Sequence, residues 1–555
     1  MFFARYALNG RRFFFCRFSF IRKLGYNIVM KKIIQKNFFN ARAIMFFAII
    51  GFFLAILQFS TPALVDPDGY YHIKAAQIIQ EKGVSELAVF PYLTKSVWQI
   101  YNADLSLGFH LILIPFISMF GGLIGIKALS IISALLVFVA FWKALRYLNM
   151  SHQLLWTTFL LLFSGTFLFR MTLPRGLIFA IISQILIFSF LSKKQYFPLF
   201  LTALAYSWIH PSAFIAILFG AAFFFMRRFF ERRYDWLSIG APLSGYFLGL
   251  LLRPDFPDII HLLLIQDFGP LIERIQGAGL DWATELASPS LLTIASNSFL
   301  IIIIWLIGIA LLLKRSTRDK AFVYATSVYS AGLISFIFFL MMLTSHRFID
   351  FFTPFAVLFA ALAAKPFFEQ FDIKVFLRNN FKKHRKIAVF VSLFIILLIV
   401  KNIISAYSSV KATESLKKFQ AASFWLKENT PENSVIFHTD WDDFPKLFYY
   451  NDHNRYLVGL DPTFMYEYNK DLYWLWRNIS DYGIISDHPL LAEEKENYKK
   501  FQDPEAAAQT INNKFNSSVI FAPKERAALN EFLLNNPSIF QEVYNDQWVR
   551  IFRIL

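Results

Sequence analysis

The chain reads as a polytopic α-helical membrane protein with a small C-terminal extracytoplasmic α/β domain. Three observations predict that class. Apolar runs recur along residues 44–407, and a helix needs about 20 such residues to cross a bilayer. The basic residues cluster between those runs, the pattern that marks cytoplasmic loops. From about Val410 the composition becomes that of a soluble domain. Bulk composition agrees: 56% of the 555 residues are hydrophobic and 17% charged, against about a quarter charged in an ordinary soluble domain. A net charge of +17 would point to nucleic acid in a soluble protein. Here topology accounts for it, and no nucleic-acid partner is expected. A single cysteine, Cys16, excludes an intramolecular disulfide and a thiolate metal site. Chemistry must come from Asp, Glu, His, Arg and Tyr, with no organic cofactor expected.

Residues 1–43 are basic and free of acidic residues, so this arm is expected to stay in the cytoplasm. The first span runs from Ile44 to about Ser60 and leads into a first outside loop, 61–122, that carries Asp66-Pro67-Asp68-Gly69-Tyr70-Tyr71-His72. Leu105–Phe120 is apolar but short. Counting it as a span would put Lys193-Lys194 outside, so it reads as a helix lying at the interface. Leu123–Leu145 returns, Gln153–Phe169 runs outward, Arg170–Arg175 turns outside, and Gly176–Leu191 comes back. Phe197–Ile209 and Ser212–Met226 form a hairpin broken at His210-Pro211, because proline cannot continue a helix without losing a hydrogen bond. Leu237–Leu252 leads to a long polar outside loop, 253–290. Leu291–Leu313, Ala321–Leu343 and Phe348–Ala364 follow, with His346-Arg347 in an outside turn, and Ile387–Tyr407 is last. These are about eleven spans in a 44–407 transmembrane domain, and the odd number leaves the 408–555 domain outside. Compact loops place the chain in a bacterial inner membrane. Within 408–555, Val435–Phe437, Arg455–Val458 and Ser518–Phe521 read as buried strands. Asp503-Pro504 opens a helix, and Gln541–Tyr544 with Trp548–Phe552 reads as a closing hairpin.

Asp66 and Asp68 hold two carboxylates two positions apart across a stiff proline. Such a pair can hold Mg²⁺ or Mn²⁺ against a phosphate, or one carboxylate can act as a general base. The plainer alternative makes Asp68 a helix cap and Asp66 a solvated turn residue. Position favours function, since the motif directly leaves a membrane span. Arg170 and Arg175 match phosphate oxygens geometrically, though arginines at helix ends also snorkel. His210, His346 and Arg347 sit in turns that open to the same side by this topology. Asp267, Glu273, Asp281 and Glu285 in the long loop are candidate acidic partners, or one solvated helix face. His438-Thr439-Asp440-Trp441-Asp442-Asp443 follows a strand, where α/β sheets place binding sites.

Together these landmarks resemble the GT-C class of membrane glycosyltransferases, and most closely the catalytic subunit of oligosaccharyltransferase. The resemblance rests on Asp68-Gly69-Tyr70-Tyr71, the Arg170–Arg175 turn, Trp208-Ile209-His210-Pro211-Ser212 and Arg347-Phe348 with Pro354. After the last span it rests on Val435 through Asp442 and on Phe448-Tyr449-Tyr450-Asn451-Asp452. It implies sugar transfer from a polyprenyl phosphate or pyrophosphate on the outer membrane face, with Asp68 catalytic and, in the oligosaccharyltransferases, metal-binding. Two departures stand out. Arg170-Met171-Thr172-Leu173-Pro174-Arg175 stands where those enzymes carry a second acidic metal-binding pair, and their Trp-Trp-Asp-Tyr-Gly acceptor motif is reduced to Trp441-Asp442.

The leading expectation is therefore an inverting transferase acting on a polyprenyl-phosphate-linked sugar within the lipid bilayer. Its catalytic and candidate metal residues are Asp68 and Asp66. Arg170, Arg175, His210, His346, Arg347, Tyr71 and His72 are its substrate and phosphate residues, and Trp441 and Asp442 its acceptor-side loop. A non-catalytic scaffold of the same fold in polysaccharide assembly is the alternative. A transporter is a third reading, weakened by the scarcity of charges deep in the spans and the lack of an inverted repeat.

Overall fold

The computed structural model describes residues 41–85, 89–277, 279–281, 284–314, 322–370 and 385–555. Cys16, all but the last three residues of the basic arm, and the basic runs at 315–320 and 378–384 lie outside them. Two compact units divide at Phe53/Leu54. The described part of the first is the start of apolar helix α1 (Ala41–Gln58).

The second unit continues with α2 (Asp68–Lys82), α3 (Leu107–Phe120), α4 (Gly122–Tyr147), α5 (Gln153–Leu162), α6 (Gly165–Arg170), α7 (Leu177–Ser192), α8 (Tyr196–Ile209), α9 (Ile215–Phe230) and α10 (Leu237–Leu251). Then come α11 (Asp258–Gln276), α12 (Leu291–Lys314), α13 (Phe322–Thr344), α14 (Ile349–Gln370) and α15 (Arg385–Lys411). Among the described residues, seven helices are long and apolar enough to cross a membrane: α1, α4, α9 with the turn before it, and α12 to α15. The other predicted spans are α5, α7, α8 and α10, apolar helices of 10, 16, 14 and 15 residues. At about 1.5 Å per residue they measure about 15–24 Å, shorter than the roughly 30 Å hydrocarbon core.

Two expectations are corrected. The run Gln153–Phe169 is not one helix: it breaks after Leu162, and Ser164 Oγ accepts from the Phe167 N–H to start α6. A serine hydroxyl at that position satisfies an otherwise orphaned amide. Half of the 253–290 loop is the 19-residue helix α11, whose apolar residues Ile259, Leu262 and Leu263 are buried.

The C-terminal region carries β1 (Val435–His438), β2 (Arg455–Tyr456), β3 (Val519–Pro523), β4 (Phe540–Asn545) and β5 (Val549–Ile554) in the order β2-β1-β3-β5-β4. The first three strands are parallel and the last two antiparallel. Strand alternation sends Phe437, Ile520 and Phe552 to one face, against Tyr473, Trp476, Ile511, Phe515 and Phe532 of surrounding helices. Ile436, Val519, Phe521 and Ile551 go to the other, in one core with Tyr71, Ala75 and Ile78 of α2 and Ile259 and Leu262 of α11. The Thr94 and Lys95 amides also bond to the carbonyls of Tyr456 and Leu457. The sheet is thus built against the first loop and α11, which brings Trp441 and Asp442 to the same place as Asp68.

Candidate active site

The end of β1 and the helix ends near it enclose a cavity of about 550 Å³. Asp66, Asp68, Tyr71, His72, Arg170, Arg175, His210, Arg347, Trp441 and Asp442 all line it. Of the catalytic, phosphate and acceptor residues expected from the sequence, His346 does not; its amide bonds to the Ala287 carbonyl, and it anchors the turn that carries Arg347. Of the four long-loop acids, Asp281 and Glu285 line the cavity and Asp267 and Glu273 do not.

Pro67 precedes α2 and Asp68 is the first helical residue, with no side-chain cap bond. Gly69 serves close approach rather than the turn: a Cβ there would lie 2.7 Å from Pro174 Cγ and 2.9 Å from Leu64 Cδ1. The Arg170–Arg175 turn can therefore rest on the helix start. Arg175 is the hub of what results. Its Nη2 donates to Asp66 Oδ1 at 2.8 Å and lies 3.2 Å from Asp68 Oδ2, its Nε bonds Asp66 Oδ2, and its Nη1 donates to Glu285 Oε1 at 2.9 Å. Arg170 Nε donates to Asp350 Oδ2 at 2.6 Å and its Nη1 to Glu285 Oε2 at 2.9 Å. Arg347 reaches Glu285 Oε1 at 3.3 Å and is the most exposed of the three, at 32%.

Glu285, on the short turn Thr284–Leu286, thus joins three guanidiniums. The reading of Glu285 as part of a solvated helix face is corrected; loop closure carries it into the site. Burial opposes its charge, yet Arg175, Arg347 and Arg170 hold its carboxyl well below the usual range. Asp68 goes the other way: burial, then the neighbouring Asp66 charge, pushes its carboxyl well above the usual range. Glu285 and Asp68, two carboxyls that share the Arg175 guanidinium, are thereby set apart, as acid–base sites require. His210 caps the turn Pro211–Phe214, its Nδ1 accepting from the Ser212 N–H at 3.1 Å. That bond leaves the ring proton on Nε2.

The opposite wall comes from the C-terminal domain. Trp441 Nε1 donates to the Asp281 carbonyl at 3.3 Å. Asp440 pairs with Arg526, Arg526 with Asp481 at 2.6 Å, and Arg477 with Asp481 and with Asp281, each at 2.8 Å.

The residues do not fit a divalent metal. Both oxygens of Asp66 and one of Asp68 are engaged by Arg175. Among the described residues no group of three or more His, Cys, Asp or Glu could hold an ion. A guanidinium stands where further acidic ligands would be needed.

Sequence reasoning missed Asp350, Asp104 and His110. Asp350 left a signal: a carboxylate in the first turn of an apolar helix, where an unpaired charge is costly. Here it is fully buried against Arg170. His110 likewise lies inside the apolar run of α3 and is fully buried. His72, expected to meet phosphate, turns its Nδ1 to His110 Nε2 at 2.8 Å instead.

The fold is similar to that of solved GT-C membrane glycosyltransferases. Its structural neighbours include the apo oligosaccharyltransferase of Archaeoglobus fulgidus, with a TM-score of 0.60 at 12% identity over 87% of this chain and 69% of that one. AglB of the same organism, solved with an inhibitory peptide and a dolichol-phosphate, gives 0.59 at 12% identity with the same coverage. ArnT of Cupriavidus metallidurans, bound to undecaprenyl phosphate, gives 0.50 at 12% identity over 92% of this chain and 97% of that one. No family model and no curated protein matches the sequence.

Proposed function

We propose that the protein is an inverting membrane glycosyltransferase that takes its sugar from a polyprenyl-phosphate-linked donor. The observation that carries this reading is the convergence, in one cavity, of the Asp68 carboxyl with Arg170, Arg175, Arg347 and His210. The fold likeness to AglB and ArnT, solved with dolichol-phosphate and undecaprenyl phosphate, supports it. Asp68, with one oxygen outside the Arg175 pairs, takes the proton of the acceptor's attacking group. The acceptor then attacks the sugar, and the bond to phosphate breaks. Arg347 has donors to spare, and with His210 Nε2–H it stabilises the leaving phosphate electrostatically. Trp441 and Asp442 receive the acceptor. Domains at 1–43, 44–407 and 408–555, eleven spans, an extracytoplasmic cavity and a bacterial inner membrane complete the reading.

Deleting the gene should make a lipid-linked sugar accumulate and its product vanish, both read by mass spectrometry of the membrane lipids and glycans. Asp68→Asn should reproduce the deletion while the protein is still made, and retained transfer would sink the assignment. Because Arg175 occupies the carboxylates, transfer should survive washing with EDTA. The Arg175 pairing also favours a second reading, a non-catalytic scaffold; a product level unchanged by Asp68→Asn but abolished by deletion would select it.

A further inference from the structure

Beside the cavity a chain of three ionisable side chains runs into the interior. His110 Nδ1 lies 2.6 Å from Asp104 Oδ2, and His110 Nε2 lies 2.8 Å from His72 Nδ1. Asp104 is 4% exposed, His110 0% and His72 7%. Asp104 is held in place: Ser106 N–H donates to its Oδ1 at 2.9 Å, and its own amide donates to Asp255 Oδ2 at 3.0 Å. Asp255 is in turn paired with Arg253 at 2.7 Å. Burial opposes the charge on Asp104, but His110 and the Ser106 N–H hold its carboxyl below the usual range.

With His110 neutral, an ionised Asp104 fixes every proton of the chain. The carboxylate can only accept, so His110 carries its proton on Nδ1 and offers the Nε2 lone pair. His72 must then donate through Nδ1, which leaves its Nε2 unprotonated. Among the described residues Nε2 has no hydrogen-bond partner. His72 lies one turn beyond Asp68 on α2, on the same helix face, and both line the cavity. We propose that His72 relieves Asp68 of its proton after each transfer, with His110 and Asp104 as positioning residues that keep His72 Nε2 a base. The inference rests on the transferase reading above.

The step balances. The acceptor's O–H or N–H proton goes to the Asp68 carboxylate as the attacking atom bonds the sugar carbon, and the electron pair of the broken bond leaves with phosphate. Asp68 passes the proton through cavity water to His72 Nε2. The imidazolium, stabilised by Asp104 through His110, releases it to solvent. The charged and titratable groups facing His72 are Asp68 and Tyr71 on its own helix, His110 and Asp104 beside α3, Arg175 from the turn, and Arg253 with Asp255 behind Asp104. Of the other elements packed on α2, α4 brings Lys127, bonded to the Gln58 and Thr61 carbonyls. The helix Phe444–Tyr450 brings Lys446, bonded to Glu414. Burial, then His110 and Arg175, hold the His72 imidazole well below the usual histidine range, so the proton passes through Nε2 without resting there and solvent is its final acceptor.

The test uses the full chain in lipid nanodiscs, with lipid extract of a deletion strain as the source of donor and acceptor, and product read by mass spectrometry. Wild-type turnover should be nearly flat from pH 6 to 8. His72→Gln should be slower by about a hundredfold at pH 7. Its rate should climb about tenfold per pH unit as hydroxide takes over, and imidazole should partly restore it. Asp104→Asn should move the profile the same way, a response that a packing role would not produce. Separately, ¹⁵N-histidine spectra of the wild type should show Nδ1–H on His110 and a bare Nε2 on His72 at pH 7. A protonated His72 Nε2, or His72→Gln with a wild-type rate and flat profile, overturns the relay. Should His72→Gln fail to fold or the extract give no turnover, the wild-type spectrum decides. Asp68→Asn separates the two ideas: an active Asp68→Asn enzyme sinks the transferase reading, while a dead Asp68→Asn beside a normal His72→Gln sinks only the relay.

Discussion

Two ion-pair networks meet at the cavity, built from the same residue types and differing in burial. The inner one joins Asp66, Asp68, Glu285 and Asp350 to Arg170, Arg175 and Arg347, with Asp350 at 0%, Asp66 at 2% and Arg170 at 7% side-chain exposure. The outer one joins Asp281, Asp440 and Asp481 to Arg477 and Arg526, with Asp281 half exposed and Asp440 at 28%. Water screens the outer pairs, so each contributes little and serves to seat the C-terminal wall. The inner pairs at Asp350 and Asp66 have lost nearly all their water. Breaking one leaves a charge that the interior cannot solvate, so they hold geometry even where they add little net stability.

Glu285→Gln should have the largest effect, leaving three guanidiniums short of an anion at a cost of about 3–5 kcal/mol, read from thermal unfolding in detergent. The sign of its pH dependence is fixed. The folded-state carboxyl titrates below its ordinary value, so its contribution is present above that ordinary value and lost as pH falls through the depressed one. Wild type should lose stability on acidification and Glu285→Gln should lose less. Asp68→Asn comes next and acts oppositely on two readouts. Transfer should fall at least about a hundredfold, while the unfolding midpoint should rise. The Asp68 carboxyl titrates above its ordinary value, so its folded form loses stability as pH climbs between the two, and asparagine removes that loss. The smallest effect belongs to the outer network: Arg526→Ala should cost under about 1 kcal/mol. An Arg526 effect as large as that of Glu285 would erase the distinction between the networks.

The parts legible in the sequence are those set by neighbours along the chain. The Asp503 carboxylate caps its helix by accepting from the Ala506 N–H, with Pro504 at the first position, as the dipeptide announces. The strands at 435, 455, 519, 540 and 549 begin within one residue of where alternation and turn residues place them. The site residues themselves stood out by type, Glu285 among them, but which residue meets which did not. Arg170 meets Asp350 across 180 residues and Arg175 meets Glu285 across 110, and no local period encodes such a pairing. The polarity of 253–290 allowed a helix but concealed its burial, because α11 buries one face against the sheet core and shows the other. The Phe163-Ser164 break was hidden for the converse reason, since every residue around it is apolar or small.

Three helices begin at the cavity. α2 starts at Asp68, α9 is led in by Pro211, and α14 follows Arg347. Each places there the positive end of its helix dipole, equivalent to about half a positive charge. That field belongs to the backbone and carries no side-chain entropy. Asp68 and Asp350, in the first turns of α2 and α14, partly cancel it, so protonating Asp68 makes the pocket more positive without moving an arginine. The state of one proton thus sets how strongly the pocket attracts an anion. A chain stripped of its three arginines is expected to keep a weak pull on phosphate.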